Sequence, residues 1–78
     1  MDTKEALEWI ADLFEESIEN LSNQTTQEEV PGWDSLGVLS LMAALDEEFD
    51  IILEDEELWE LKKIEDILNV LIKNGQLT

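Results

Sequence analysis

The chain has no cysteine, no histidine and no arginine, and only four lysines. Without cysteine there is neither a disulfide nor a thiolate metal site to brace the fold. Without histidine the usual general base and the commonest neutral metal ligand are gone, and without arginine so is the bidentate phosphate clamp. Catalytic triads need a base beside their nucleophile, so the polypeptide itself reads as a non-enzyme. No apolar run reaches the length of a membrane span, and Met1-Asp2-Thr3-Lys4 does not open like a signal peptide, which points to the cytoplasm. What is present is acid: 21 Asp and Glu give a net charge of −17. Such a surface repels nucleic acid and anionic membranes, favours basic protein partners, and disfavours self-association, so a monomer is expected. The 44% of residues that are hydrophobic argue against disorder of the whole chain, and 78 residues suffice for one small core. Residues 1–78 therefore read as a single domain.

Leu7, Ile10, Ala11 and Phe14 recur at helical spacing, and Asp2 with Glu5 supplies a capping box, so a first helix is expected over Thr3 to about Glu16. Ile18 and Leu21 fit either another turn of that helix or a separate short turn. Ser22–Gln27 is polar and loop-like, and the loop continues to Trp33 because Pro31 blocks a helix, with Val30 and Trp33 as its apolar anchors. A second helix begins at Asp34-Ser35, either of which can cap it, and runs to about Phe49. Val38, Leu41, Met42, Leu45 and Phe49 form its core face. Leu36, Leu39 and Ala43 lie on another side, beside Ser40 and Glu47, and make an apolar stripe that a domain this small has little to cover with. Asp50–Leu53 reads as a connection with buried aliphatics, and Glu54–Glu60 as a short third helix offering Leu58, with Trp59 or Leu61, to the core. The last helix, about Lys63–Lys73, carries Ile64, Ile67, Leu68, Leu71 and Ile72 and stops at Asn74-Gly75. The expected fold is all-α: a four-helix bundle with three longer helices, a short third one and a long first loop.

Two acidic patterns bear on metal binding and hydrolysis. Asp46, Glu48, Asp50, Glu54 and Glu57 fall near calcium-loop positions, but Ile51 stands where the sharp turn needs glycine, so no metal site is assigned. No two carboxylates are singled out in an apolar cleft as glycoside hydrolysis requires. Ser35 is different. A serine at a helix start is ordinarily just a cap, yet this one follows a long loop, lies at the positive end of a helix dipole where a phosphodiester is well placed, and borders the Leu36–Leu39–Ala43 stripe.

The stretch Pro31-Gly32-Trp33-Asp34-Ser35-Leu36, continuing to Leu45-Asp46-Glu47-Glu48-Phe49-Asp50-Ile51, resembles an acyl carrier protein, and the likeness extends less sharply to Ile67. The resemblance implies that Ser35 carries 4′-phosphopantetheine, transferred from coenzyme A by a phosphopantetheinyl transferase, and that the arm's thiol holds an acyl group as a thioester. Its further partners would be acyl-loading and acyl-processing enzymes with basic surfaces. It also implies that Asp34, Leu36, Leu39, Ala43 and Glu47 are read by partners, and that Met42, Leu45, Leu53, Leu58, Leu61 and Ile67 correspond to an acyl pocket. The chain departs from fatty-acid-synthesis members at Gly37 and Ser40, where acids are usual, at Glu54, where proline is common, and at Lys62-Lys63. It is closer to stand-alone carriers of specialised pathways, which leaves an aminoacyl or peptidyl load open. From another class, an unmodified acidic adaptor binding basic proteins through the same stripe has the same composition and fold.

Overall fold

A computed structural model describes residues 1–77. Its regular elements are four α-helices: α1 (Thr3–Phe14), α2 (Ser35–Phe49), α3 (Asp55–Trp59) and α4 (Ile64–Lys73). Among the described residues there is no strand, only an isolated antiparallel bridge between Thr26 and Lys63. The all-α expectation therefore holds. None of the helices is long and apolar enough to cross a membrane.

Local chemistry sets the helix ends. The Asp2 carboxylate accepts from the Glu5 amide at 2.8 Å, and Glu5 returns the bond to the Asp2 amide at 3.1 Å, which closes the capping box read from the sequence. The helix ends at Phe14 rather than Glu16, because Glu15 turns left-handed (φ 54°) and the Glu16 amide reaches back to the Ala11 carbonyl at 2.8 Å. Ile18–Asn20 is a separate single turn of 3₁₀ helix, which settles the two alternatives for that segment. Asp50 ends α2 in the same left-handed way (φ 56°), and Gly75 (φ 75°) follows α4 as its sequence position predicts.

The core is assembled from one stripe of each helix. Ile10, Leu41, Leu45, Ile64, Ile67 and Leu71 are its largest fully buried side chains. At about 1.5–3 kcal/mol for each buried aliphatic side chain, these six supply a large part of what opposes the chain entropy. Two expectations fail here. Ile52 is 81% exposed although its connection was expected to bury it, and Ile72 is half exposed at the edge of the α4 stripe. Both follow from geometry. Ile51 takes the inward position after the left-handed turn at Asp50, so its neighbour points out, and the α4 stripe is filled by Ile64, Ile67, Leu68 and Leu71 before Ile72 is reached. In the same way α3 gives Leu58 and the following Leu61 to the core and leaves Trp59 outside.

The long loop is held rather than loose. The Gln27 amide donates to the Lys62 carbonyl at 2.8 Å and the Ile64 amide to the Thr25 carbonyl at 2.9 Å, tying the loop across the start of α4. Thr25 is buried and accepts from the Ser22 amide at 2.9 Å, a polar anchor that the sequence pattern hid among turn formers. Val30 and Trp33 are buried as expected.

Candidate functional site

Ser35 is the first residue of α2, and Asp34 is its cap: the Asp34 carboxylate accepts from the Gly37 amide at 2.9 Å. Of the two residues able to cap, the aspartate does so. The serine hydroxyl is therefore spared that duty, is exposed, and enters no hydrogen bond among the described residues. With Asp34 satisfying only one of the orphan amides of this turn, the positive end of the α2 dipole remains beside the hydroxyl.

The platform under Ser35 is built by two glycines and two aromatic rings. A Cβ on Gly37 would meet the Gly32 carbonyl oxygen at 2.1 Å, and one on Gly32 would meet the Phe14 carbonyl oxygen at 2.0 Å. The end of α1, the Pro31-Gly32 turn and the first turn of α2 are thus in backbone contact. Phe14 stacks on Trp33 with centroids 5.2 Å apart and planes 12° from parallel, both rings buried. The Gln27 side-chain amide donates from Nε2 to the Trp33 carbonyl at 3.1 Å, while the Trp33 indole N–H is buried with no partner among the described residues. Leaving such a donor unmet costs about 1–3 kcal/mol, offset by the ring burial and stacking that hold the loop to α1.

These glycines were not read as part of the site from the sequence. A glycine inside a helix costs roughly 1 kcal/mol relative to alanine, so Gly37 in the first turn of α2 was itself the available signal that something approaches closely.

All five residues read as partner contacts, Asp34, Leu36, Leu39, Ala43 and Glu47, are exposed, with Leu36 at 74%. Leu36, Ala43 and Glu47 lie nearly in line on the outer side of α2 with Leu39 offset by about 60°, and Asp34 stands before them as the cap. The six residues read as an acyl pocket also gather, but as filled core. Leu45, Leu58, Leu61 and Ile67 are buried, and Met42 and Leu53 pack partly buried against them. Surface depressions of about 220 and 230 Å³ beside α4 include Leu61 in one and Leu53 in the other, together with Glu57, Val70 and Lys73. Among the described residues no group of three or more acidic side chains is gathered to hold a metal ion. The helix does continue through Phe49, where a calcium loop would already be open.

With this geometry in place, comparison with known proteins decides the family. Residues 6–71 match the family described as "Phosphopantetheine attachment site". The chain belongs to that family. Its members carry covalently attached phosphopantetheine, and the residues here fit such a group: a free, exposed hydroxyl at the start of a long helix, on a platform rigid enough to present it. The chain is also similar to an acyl carrier protein of Bdellovibrio bacteriovorus, 40% identical over 45 residues, a match that spans 58% of this chain and 58% of that protein. No solved structure matches significantly. The resemblance to acyl carrier proteins read from residues 31–51 stands on these findings.

Proposed function

We propose that this phosphopantetheine-family chain is a discrete acyl carrier protein, one four-helix bundle forming a single domain, with Ser35 as its attachment residue. The observation that carries the reading is the exposed, unbonded Ser35 hydroxyl at the capped start of α2, in a chain whose family is defined by covalent attachment of this arm. When attached, the arm supplies the thiol on which an acyl group is held as a thioester, chemistry that a cysteine-free polypeptide lacks.

The residues of the chain do the rest. Asp34 fixes the first turn of α2 and leaves Ser35 open to a transferase. Leu36, Leu39, Ala43 and Glu47 offer that enzyme, and acyl-loading and acyl-processing enzymes after it, an apolar strip with acid at both ends. The net charge draws basic faces from a distance, and the individual exposed ion pairs are weak enough for release. Met42, Leu45, Leu53, Leu58, Leu61 and Ile67 fill their own space, so they would shelter a long acyl chain only by moving apart. The carrier thus works in solution, handing its load to enzymes rather than transforming it.

The test is intact mass after incubation with coenzyme A, magnesium and a broad-specificity phosphopantetheinyl transferase. One phosphopantetheine adduct, absent from Ser35→Ala, is expected. An adduct that persists on Ser35→Ala would move the attachment elsewhere. No adduct on folded protein with two different transferases would overturn the reading in favour of an unmodified adaptor.

A further inference from the structure

We propose that Asn74, in the Asn74-Gly75 pair that closes α4, is a site of spontaneous deamidation gated by opening of the last turn of that helix. Asparagine followed by glycine is the pair in which this reaction meets least hindrance, because the attacking nitrogen belongs to a residue with no side chain. Both residues are exposed, as are Ile72 and Lys73 before them. The surroundings are open as well: a Cβ on Gly75 would meet nothing within 4 Å. Water therefore reaches the side-chain amide, and no neighbour occupies the space a new ring would take.

The reaction needs only these two residues and water. The Gly75 amide gives its proton to water or hydroxide, and its nitrogen attacks Cγ of Asn74. The bond from Cγ to Nδ2 breaks, the departing nitrogen takes a proton from solvent and leaves as ammonia, and a five-membered succinimide remains. Water then opens the ring at one of its two carbonyls, leaving aspartate or isoaspartate at position 74. One water is consumed and one ammonia released, with no change of oxidation state.

The folded turn withholds each reactant. Asn74 Nδ2 donates to the Val70 carbonyl at 2.8 Å, which draws the side chain back along the helix. The Gly75 N–H donates to the Ile72 carbonyl at 3.1 Å and so is not free to lose its proton. With Asn74 at ψ 11°, the Gly75 nitrogen eclipses the backbone nitrogen of Asn74, whereas ring closure needs it beside Cβ. All three restraints are lost together when the last turn opens. An exposed turn held by a few bonds opens far more often than the core does.

The product does not close the turn as before. A carboxylate has no proton to donate to Val70, and its new charge stands at the negative end of the α4 dipole. Isoaspartate also lengthens the backbone ahead of Gly75, which displaces the left-handed cap (φ 75°) and the bond from the Gln76 amide to the Leu71 carbonyl at 2.9 Å. Asn74 borders the same depression as Ile51, Ile52 and Leu53, so the loosening reaches the connection that follows α2. The inference goes beyond the carrier reading and holds with or without a group on Ser35.

The test is the mass of the full chain over weeks in warm neutral buffer, with peptide mapping to place the change. A gain of about 1 Da at position 74 is expected, and in urea above the unfolding midpoint it should appear about tenfold faster or more. Lys73→Gly weakens the last turn of α4, and Lys4→Gly makes the same substitution in the first turn of α1, both at exposed positions. Each variant is compared with its own rate in urea, which removes any effect on the intrinsic chemistry. Lys73→Gly is expected to speed the reaction of the folded chain about threefold or more, and Lys4→Gly to leave it within about 1.5-fold. Equal acceleration by the two variants, equal rates in buffer and in urea, no gain in buffer, or a gain of the same size in Asn74→Gln would each overturn the proposal.

Discussion

The two ends of α2 are built on opposite plans. At its start, α1, the Pro31-Gly32 turn and the first helical turn meet backbone to backbone, with Phe14 and Trp33 stacked beneath. Beyond its end, the segment from Ile52 to Trp59 carries two large apolar side chains into solvent, Ile52 at 81% and Trp59 at 51% exposure. The first arrangement fixes the position of one hydroxyl. The second leaves apolar surface free beside the short helix α3. The comparison teaches that stability in this small fold is distributed unevenly: the Ser35 end of α2 is over-determined, while the α3 end contributes little beyond Leu58 and Leu61.

The strongest way to break that contrast is to empty the stacked pair. Phe14→Ala is expected to cost about 3–5 kcal/mol, seen as a large fall in the urea midpoint. A domain of this size has a total stability of only about 4–12 kcal/mol, so partial unfolding in buffer is one expected form of the result. A loss below about 1 kcal/mol would mean that the junction is not the stable part of the fold.

Gly37→Ala tests the backbone contact itself. Helix propensity alone predicts a gain of about 1 kcal/mol, whereas overpacking against the Gly32 carbonyl predicts a loss of about 1–3 kcal/mol. A net loss of about 1 kcal/mol is expected, because the oxygen in the way belongs to backbone and cannot swing aside. A raised melting temperature would refute the close approach. Asp34→Ala should cost about 1 kcal/mol through the lost cap of α2. At the other end, Ile52→Ser and Trp59→Ser should each change stability by no more than about 0.5 kcal/mol. If either costs as much as Asp34→Ala, the α3 end is packed more firmly than its exposure implies.

The smallest effect is one of pH. Glu29 is held below its ordinary value of 4.5 by the Thr26 amide and then by the Thr26 hydroxyl, both of which favour the ionised carboxylate. A folded-state pKa lower than the unfolded one gives stability that is present above the ordinary value and lost as pH falls through the lowered one. The difference in midpoint between the protein and Glu29→Ala should therefore shrink as the pH falls from the ordinary value of 4.5 through the lowered one. A difference that grows on acidification would reverse the sign of the argument for that capping interaction.

Much of this was legible in the residues. The four helices, the capping box at Asp2 and Glu5, the buried Val30 and Trp33 and the stop at Gly75 are all local or periodic features, and periodicity survives whatever packs against it. Ser35 was legible because a helix start after a long loop is both exposed and electropositive. The failures share a cause. Ile52 and Ile72 were expected inside because an apolar run gives no hint of where its face runs out, and Gly32 and Gly37 were passed over because a close backbone approach is made by residues distant in sequence.

By itself, then, the sequence determined that the chain is helical and acidic and has no cysteine, histidine or arginine, and it singled out the serine that we propose as the attachment residue. These follow from propensity, composition and capping, which act within a few residues. Only the tertiary structure decided that the cap is Asp34 and so leaves Ser35 free, and that two glycines let three segments touch beneath it. Each of these depends on the distance between elements, and such distances are set by how whole faces pack together.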